Sequence, residues 1–210
     1  MIPIANVLLQ LMLSGQAVPA VPGGCSELAG ENIGKPGCFL STLLTISEPP
    51  ATMYWHIAEF PDEVPARSAA RGHEWATVVP AHGRWWLYVL SSSREEKLHG
   101  HVRGLVGPFQ LIAGQPVIAR FMESTFPPGM RTRVHSHSGP EAFFVIEGEQ
   151  CVSTSSGDFT IQRLNSRIVD GGAHLQAASK GRKSLVLIIA PPNQPWMKLE
   201  ADDTLASGCQ

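Results

Sequence analysis

Short stretches in which hydrophobic and polar residues alternate run along most of the chain and indicate β-strands rather than long helices. They end at Pro, Gly or Ser residues, such as Pro61, Pro80 and the serines at 91–93. A piece rich in Ala, Arg and Glu between Pro61 and Trp75 predicts a short helix, and residues 99–103 give a weaker strand signal. Strands are predicted over residues 43–46, 53–60, 76–79, 83–90, 117–126, 131–137, 141–147, 150–153, 159–162, 167–169, 174–177 and 185–189. Such closely spaced strands predict an all-β antiparallel barrel or sandwich.

The pattern divides the chain into four parts. Residues 1–20 form a candidate leader, and residues 21–115 form an N-terminal extension with an irregular arm followed by strands. Residues 116–192 carry the clearest strands and predict the barrel, and residues 193–210 form a C-terminal tail. No repeat of 20–50 residues occurs, so the extension is interpreted either as a decayed partner barrel or as strands that pack on a single barrel.

The first residues resemble a secretory signal. Residues 2–13 are apolar apart from Asn6 and Gln10, and small residues follow up to Ala20, where cleavage is predicted. The stretch lacks a Lys or Arg at its start and is too short for a transmembrane span. A signal peptide predicts a periplasmic or secreted protein. The alternative is an apolar N-terminus that is disordered or docked on the domain, in a cytoplasmic protein.

The bonding expected of the four cysteines depends on whether the chain is exported. In an exported chain, one or two disulfide bonds are expected, and four cysteines allow three connectivities. In a cytosolic chain they are ordinary buried thiols. The cysteines are Cys25, Cys38, Cys151 and Cys209, and no Cys-x-x-Cys pair that would indicate a zinc knuckle occurs among them.

Composition excludes one class of partner. Of the 210 residues, 43% are hydrophobic, which is enough for a substantial core, and only 16% are charged, with a net charge of −2. No dense run of Lys and Arg occurs, so a nucleic-acid partner is not expected.

Two histidines and a glutamate form the strongest candidate site. His135 and His137 are separated by one residue, and side chains that alternate along a strand put them on one face. Glu141 follows a Ser-Gly-Pro turn and can reach the same point in space. Two imidazoles and a carboxylate that converge from rigid strands suit a divalent transition metal with open coordination positions.

These residues resemble the first motif of the cupin superfamily. That motif is Gly, five residues, His-x-His, three or four residues, Glu, six residues and Gly, and residues 129–148 match every fixed position. The resemblance covers residues 117–190 and implies a double-stranded β-helix barrel of the jelly-roll type. It also implies a metal site inside the barrel, and often a homodimer. A Pro-Pro-Gly-Met-Arg-Thr segment and a His-Ser-Gly-Pro-Glu-Ala segment resemble a poorly characterised bacterial group within the superfamily.

The second cupin motif would supply a third histidine, and it is degenerate here. With Gly171 as the motif glycine, His174 falls on the ligand position. With Gly172 as that glycine, Leu175 takes the position instead, and a slip of one residue turns a side chain to the other face of a strand. The first register is preferred because it gives His174 a role, and a site without His174 remains the alternative.

The ligand set implied by the resemblance is therefore His135, His137, Glu141 and His174. It would hold one divalent transition ion, Fe, Mn, Ni, Cu or Zn, and leave about two open positions on an octahedral ion. The function predicted is a metal-dependent, dioxygenase-like enzyme that acts on a small oxygenated or carboxylated molecule. Two alternatives stay open: a non-catalytic barrel that binds or senses a small ligand, and a barrel in which the metal is only structural.

Strand parity predicts the lining of the pocket. Arg133 shares parity with the two motif histidines and could pair an anionic substrate group, although a surface arginine is an equal alternative. Phe143 and Val145 share parity with Glu141, and Gln176 shares parity with His174, so these side chains are expected to face the pocket. Phe144 and Ile146 are expected to face an outer layer or a dimer partner. The five tryptophans are interpreted as packing residues.

Overall fold

The computed structural model describes residue 25, residues 27–201 and residues 205, 208 and 209; the candidate leader lies outside them. Its secondary structure is mostly strand, as the alternating pattern predicted. A 3₁₀ turn spans Gly30–Asn32 and the helix α1 spans Glu63–Ala70. The strands are β1 (Gly37–Ile46), β2 (Thr52–Phe60), β3 (Trp75–Ala81), β4 (Arg84–Ser91), β5 (His101–Gln110), β6 (Val117–Phe126), β7 (Met130–Arg131), β8 (His135–Ser136), β9 (Glu141–Thr154), β10 (Gly157–Gln162), β11 (Ser166–Val169), β12 (His174–Ala178), β13 (Arg182–Ala190) and β14 (Lys198–Leu199). Among the described residues, no helix is long and apolar enough to span a bilayer.

Ten of the described strands form one curled antiparallel sheet, which gives the predicted jelly-roll barrel. The strand order is β1-β6-β13-β9-β12-β8-β14, and β10, β11 and β7 pair at its sides. Strand β9 belongs to both faces of the barrel: its first half pairs with β13 and β11, and its second half pairs with β10 and β12. The change of face occurs at Gly148, the last motif glycine, which has a φ of +73° and lies against the carbonyl of Gly181. A side chain at Gly148 would collide with that carbonyl, which explains why the motif has glycine there.

The barrel sheet extends beyond the residues that the sequence assigned to it. Strand β1, from the predicted extension, pairs with β6 along nearly its whole length. Strand β14, from the predicted tail, pairs with β8 beside His135. Leu40 and Ile46 of β1 are buried, so this strand closes the barrel sheet at one edge rather than packing over it as a separate layer.

The rest of the extension forms a second, four-stranded antiparallel sheet with the order β3-β4-β2-β5. One face of this sheet packs on the outer face of the barrel, where the rings of Trp55 and Tyr88 contact Phe121 at centroid distances of 6.0 and 5.0 Å. Phe144 and Ile146 join this layer, as their parity predicted. The other face is covered by α1 through Ala66 and Ala69. The molecule therefore has three layers: helix, sheet and barrel.

The four cysteines form two disulfide bonds, Cys25–Cys38 and Cys151–Cys209. The first joins the irregular arm to β1. The second joins β9 to the C-terminal segment over a sequence separation of 58 residues. Both bonds hold the ends of the described chain against the barrel, and they select one of the three connectivities that the sequence left open.

Candidate metal centre

The structure brings His135, His137, Glu141 and His174 together in the barrel interior. His135 lies on β8 and pairs with His174 at the start of β12. His137 follows β8, and Glu141 opens β9, where it pairs with Ile188 of β13. One ligand atom from each of the four residues lies within 4.8 Å of the others, and all four residues are buried.

The position of His174 settles the register of β12. His174 is completely buried and faces the other two histidines, with ring centroids 4.4 Å from His135 and 5.4 Å from His137. Leu175 faces the opposite side, where it packs against Val134 outside the histidine group. The preferred register, with Gly171 at the motif position, is therefore the one in the structure. The φ of Gly171 is +68°, a conformation that this tight turn before β12 requires of glycine.

A backbone carbonyl oxygen accepts a hydrogen bond from the Nδ1 of each histidine. The partner of His135 is the carbonyl of Arg133, that of His137 is the carbonyl of Trp196, and that of His174 is the carbonyl of Gly172, each at 2.8 Å. Because a carbonyl can only accept, the proton of each neutral ring is placed on Nδ1. The lone pair of each ring is then on Nε2, which is how proteins orient histidines that bind metals.

The Nε2 atoms converge on the carboxylate of Glu141. The Nε2 of His174 lies 2.7 Å from Oε2 of Glu141, and the Nε2 of His137 lies 3.3 Å from the same oxygen. The Nε2 of His137 is buried and makes no hydrogen bond with any residue that the structure describes. Two nitrogen lone pairs and a carboxylate oxygen repel one another unless a positive charge, an additional proton or a metal ion, lies among them.

The protonation of the group follows from its burial and its partners. Burial, followed by the neighbouring His174, lowers the pKa of His135 to about 4, so this ring is neutral at pH 7. Burial alone would raise the pKa of Glu141, but His137 and His174 hold it well below its usual range, so the carboxyl is ionised. Burial alone would lower the pKa of His137, but the carboxylate of Glu141 raises it above its ordinary value. In the absence of a metal, a proton on His137 offsets the buried charge of Glu141.

Gln176 and Arg182 form a chain of hydrogen bonds that ends at the carboxylate of Glu141. The side-chain amide of Gln176 lies 3.3 and 3.4 Å from the two carboxylate oxygens of Glu141 and donates to them. The oxygen of Gln176 accepts in turn from Arg182 at 2.9 Å. Arg182 is buried over the ring of Phe126 and also donates to Ser124 and Ser184. Burial lowers the pKa of Arg182 to about 9.

The other residues predicted for the pocket divide into two groups. Phe143, Val145 and Gln176 are buried on the inward face, in agreement with their parity. The side chain of Arg133 is exposed. Its parity rested on an unbroken strand from 131 to 137, and the strand is interrupted between Arg131 and His135. This break removes the basis for assigning Arg133 to the pocket, and only its carbonyl contacts the site.

Two features of the site were not predicted from the sequence. Trp196 was interpreted only as a packing residue, but its ring stacks on His137 at 5.9 Å and 14°, and its carbonyl orients that histidine. The guanidinium of Arg120 lies 4.4 Å from the Trp196 ring. Trp196 belongs to an irregular segment that has no periodicity, so no pattern indicated its position. Arg120 had a signal: it is a charged residue in the otherwise apolar first half of a predicted strand.

The four residues fit a transition-metal ion. With metal–ligand bonds of about 2.0–2.2 Å, two ligands on opposite sides of one ion lie at most about 4.4 Å apart. The observed spread of 4.8 Å needs only small adjustments of the side chains. Imidazole nitrogens with a carboxylate suit Zn, Cu, Fe, Ni and Mn, and the geometry does not select one of them.

Comparison with known proteins gives matches only among solved structures. No protein-family model and no curated protein matches the chain. An RmlC-like cupin protein from Desulfovibrio desulfuricans is 27% identical, with a TM-score of 0.31 over 35% of this chain and 72% of that one. A cupin-domain protein from Bordetella pertussis Tohama I is 25% identical, with a TM-score of 0.30 over 34% of this chain and 80% of that one. A DMSP lyase from Ruegeria pomeroyi DSS-3 is 15% identical, with a TM-score of 0.34 over 39% of this chain and 42% of that one. These solved structures, to which the chain is similar over part of its length, include proteins described as cupins, the superfamily whose motif residues 129–148 resemble.

Proposed function

We propose that this protein is a metal-dependent, dioxygenase-like enzyme that acts on a small oxygenated or carboxylated molecule inside the barrel. One observation carries the proposal: the Nδ1 atoms of His135, His137 and His174 face backbone carbonyls, while Nε2 atoms converge on the buried carboxylate of Glu141. A divalent ion held there would supply Lewis acidity and, if it is redox-active, one-electron chemistry.

Apolar side chains and a hydrogen-bonded amide surround the group and fix its geometry. Phe143, Val145 and Met122 form part of an apolar interior cluster next to Glu141. Gln176 holds both oxygens of Glu141, so the carboxylate cannot rotate freely. A site held this rigidly favours one defined arrangement of ligands around an ion.

A cleft that opens to solvent borders one residue of the site. A cleft of about 440 Å³ lies beside His137 and is lined by Gln110 and by the turns around Gly139 and Gly171. Gln110 comes from β5, so the extension forms one wall of this approach. We take this cleft as the way by which a small molecule would reach the histidine group, whose side chains are themselves buried.

Two further features belong to the proposal. The two disulfide bonds support export, because such bonds persist in oxidising compartments. The leader-like residues 2–13 support the same localisation. The homodimer that the cupin resemblance implies is also kept as part of the proposal, and light scattering on the purified chain measures it.

The test is oxygen uptake by protein reconstituted with Fe(II), with a panel of small hydroxy acids, oxo acids and catechols. We expect uptake that matches product formation with at least one compound and that is lost in His135→Ala. A compound that binds to the wild type and is recovered unchanged, with no oxygen uptake, contradicts the enzyme and indicates a binding or sensing barrel. Absence of both binding and uptake, with a fall in melting temperature on metal removal, indicates a structural metal.

A further inference from the structure

The interior of the barrel carries an excess of positive charge. Arg120 and Arg182 face inward, since they share parity with Met122 and Val186 of the interior cluster. Among the described residues of this interior, Glu141 is the carboxylate that faces them. A divalent ion on the histidine group would increase the excess further. Such an interior favours an anionic ligand.

The guanidinium of Arg182 already has hydrogen-bond partners, whereas that of Arg120 has none among the described residues. The guanidinium of Arg182 donates to Ser124, Ser184 and Gln176. The side chain of Arg120 makes no hydrogen bond or ion pair with any described residue, and its Nε is buried without a partner among them. Its guanidinium stacks on the ring of Trp196, with 4.4 Å between the guanidinium carbon and the ring centroid. Burial lowers the pKa of Arg120 from its ordinary value.

Arg120 borders a cavity whose wall includes Trp196, the residue that stacks on His137. The cavity has a volume of about 120 Å³ and is lined by β6, β13 and the segment 191–196. Arg120, Ile188 and Trp196 are among its walls. Since a water molecule takes up about 30 Å³ of liquid, the space suits a group of a few heavy atoms.

The strand register sets the distance between Arg120 and the metal centre. Arg120 pairs with Ile188, and Ile188 pairs with Glu141, so the three residues form one row across β6, β13 and β9 on the inward face. Neighbouring strands lie about 4.8 Å apart, which puts Arg120 about 10 Å from Glu141 along the backbone. The row therefore places Arg120 and the histidine group on the same inward face of the barrel, with Ile188 between them.

We propose that Arg120, stacked on Trp196, binds the carboxylate of a small organic acid whose other end reaches the histidine group. The planar guanidinium offers paired N–H donors that match a carboxylate. The stacking holds that plane in one orientation, so little conformational entropy is lost on binding. This inference rests on the proposed function and narrows its substrate class to carboxylates. It assigns to Arg120 the role that the sequence suggested for Arg133.

Binding of pyruvate to the full chain, compared with its neutral amide pyruvamide, tests this assignment. Calorimetry is carried out on zinc-loaded and on metal-free protein, and metal content is measured separately. We expect pyruvate to bind more tightly than pyruvamide. Arg120→Gln should weaken pyruvate binding by roughly 10- to 100-fold, the loss of a charged hydrogen bond, with metal content unchanged. Arg120→Lys keeps the charge but loses the paired donors, so an intermediate affinity is expected.

Arg133→Gln is the matched control, because it removes an exposed arginine that is close to the site in sequence. It should leave pyruvate binding unchanged. Equal affinity for pyruvate and pyruvamide, unchanged binding in a folded Arg120→Gln variant, or sulfate binding as tight as pyruvate binding would overturn the assignment. None of these results contradicts the metal centre, provided that the protein still binds metal. Arg120-dependent pyruvate binding by a wild type that cannot be loaded with zinc would instead support the anchor and contradict the metal-dependent function.

Discussion

The Nε2 of His174 lies 2.7 Å from Oε2 of Glu141, while the other ring nitrogen of His174 faces the carbonyl of Gly172 at 2.8 Å. A neutral imidazole has one proton, so it cannot donate to both oxygens. The contact with Glu141 therefore requires an extra proton or a metal ion. The Nδ1 of His137 faces the carbonyl of Trp196 in the same way, and its Nε2 lies 3.3 Å from the same carboxylate oxygen without a hydrogen bond. This double demand for positive charge is the physical basis of the proposed metal centre.

Gln176 is predicted to tune metal affinity although it is not one of the four candidate ligands. Its amide donates to both oxygens of Glu141. Gln176→Leu keeps the volume but removes these bonds, and loss of such a support weakens metal binding by about 10- to 100-fold. The variant also leaves Arg182 without one acceptor, so a lower melting temperature is expected. Competition with a chelator of known affinity measures the effect on the folded variant. Gln162→Leu, at an exposed position, is the control, and equal zinc affinity in the two variants would contradict the prediction.

Glu123 is predicted to make stability depend on pH. Burial raises the pKa of this carboxyl, although the backbone N–H of His82 donates to it. The folded state then holds the proton more tightly than the unfolded state. The stabilisation that comes from the protonated Glu123 is complete below the pKa of this carboxyl in the unfolded state, and it is lost as the pH rises through its pKa in the folded state. Glu123→Gln should therefore raise the melting temperature at pH 7 by roughly 2–4 °C, the shift that about 1 kcal/mol gives in a chain of this size.

Melting curves of Glu123→Gln and wild type between pH 3.5 and 8 check the sign of this effect. The advantage of the variant should shrink as the pH falls through the raised folded pKa of Glu123, and it should be gone below about 4.3, the ordinary pKa of a glutamate. Glu147→Gln, at an exposed carboxyl paired with Lys183, should show no such gain at neutral pH. A variant that is less stable than the wild type at pH 7 would mean that the carboxylate of Glu123 is stabilising.

The two disulfide bonds are predicted to contribute unequally to stability. The sequence separation is 58 residues for Cys151–Cys209 and 13 residues for Cys25–Cys38. The chain-entropy relation gives about 4 kcal/mol for the longer loop and about 3 kcal/mol for the shorter one. Replacement of the Cys151–Cys209 pair by serines should thus lower the melting temperature more than replacement of Cys25 and Cys38. Thiol titration of the unfolded, oxidised wild type should detect no free thiols, and four free thiols would rule out both bonds.

Most of the fold could be predicted from the alternation of residues, because each strand has a distinct turn at its end. The helix between Pro61 and Trp75 and the strand at Val117–Phe126 follow the predicted bounds closely. The role of β1 could not be predicted from local patterning. Its pairing with β6 joins residues about 80 positions apart, and no local pattern encodes that choice of partner. A short apolar strand fits the edge of either sheet equally well.

The candidate site was predicted where the chain keeps strand geometry and missed where it does not. The inward positions of Phe143, Val145 and Gln176 followed from parity. The inward position suggested for Arg133 did not follow from parity, because the strand breaks before His135. Arg120 lies on a strand that is covered on both sides, by the barrel interior and by the second sheet. Hydrophobicity is then high on both faces, and the sequence does not tell which face is inward.

The measurement that tests the central claim most directly is the metal content of protein purified without an affinity-metal step. It is determined by elemental mass spectrometry for the wild type, for His135→Ala and His174→Ala, and for the exposed control His99→Ala. The proposed centre predicts nearly one transition-metal ion per chain in the wild type and in His99→Ala, and loss of the ion in both other variants. A wild type that binds no metal even after reconstitution, or a His174→Ala variant that keeps the full amount, would contradict the four-residue centre.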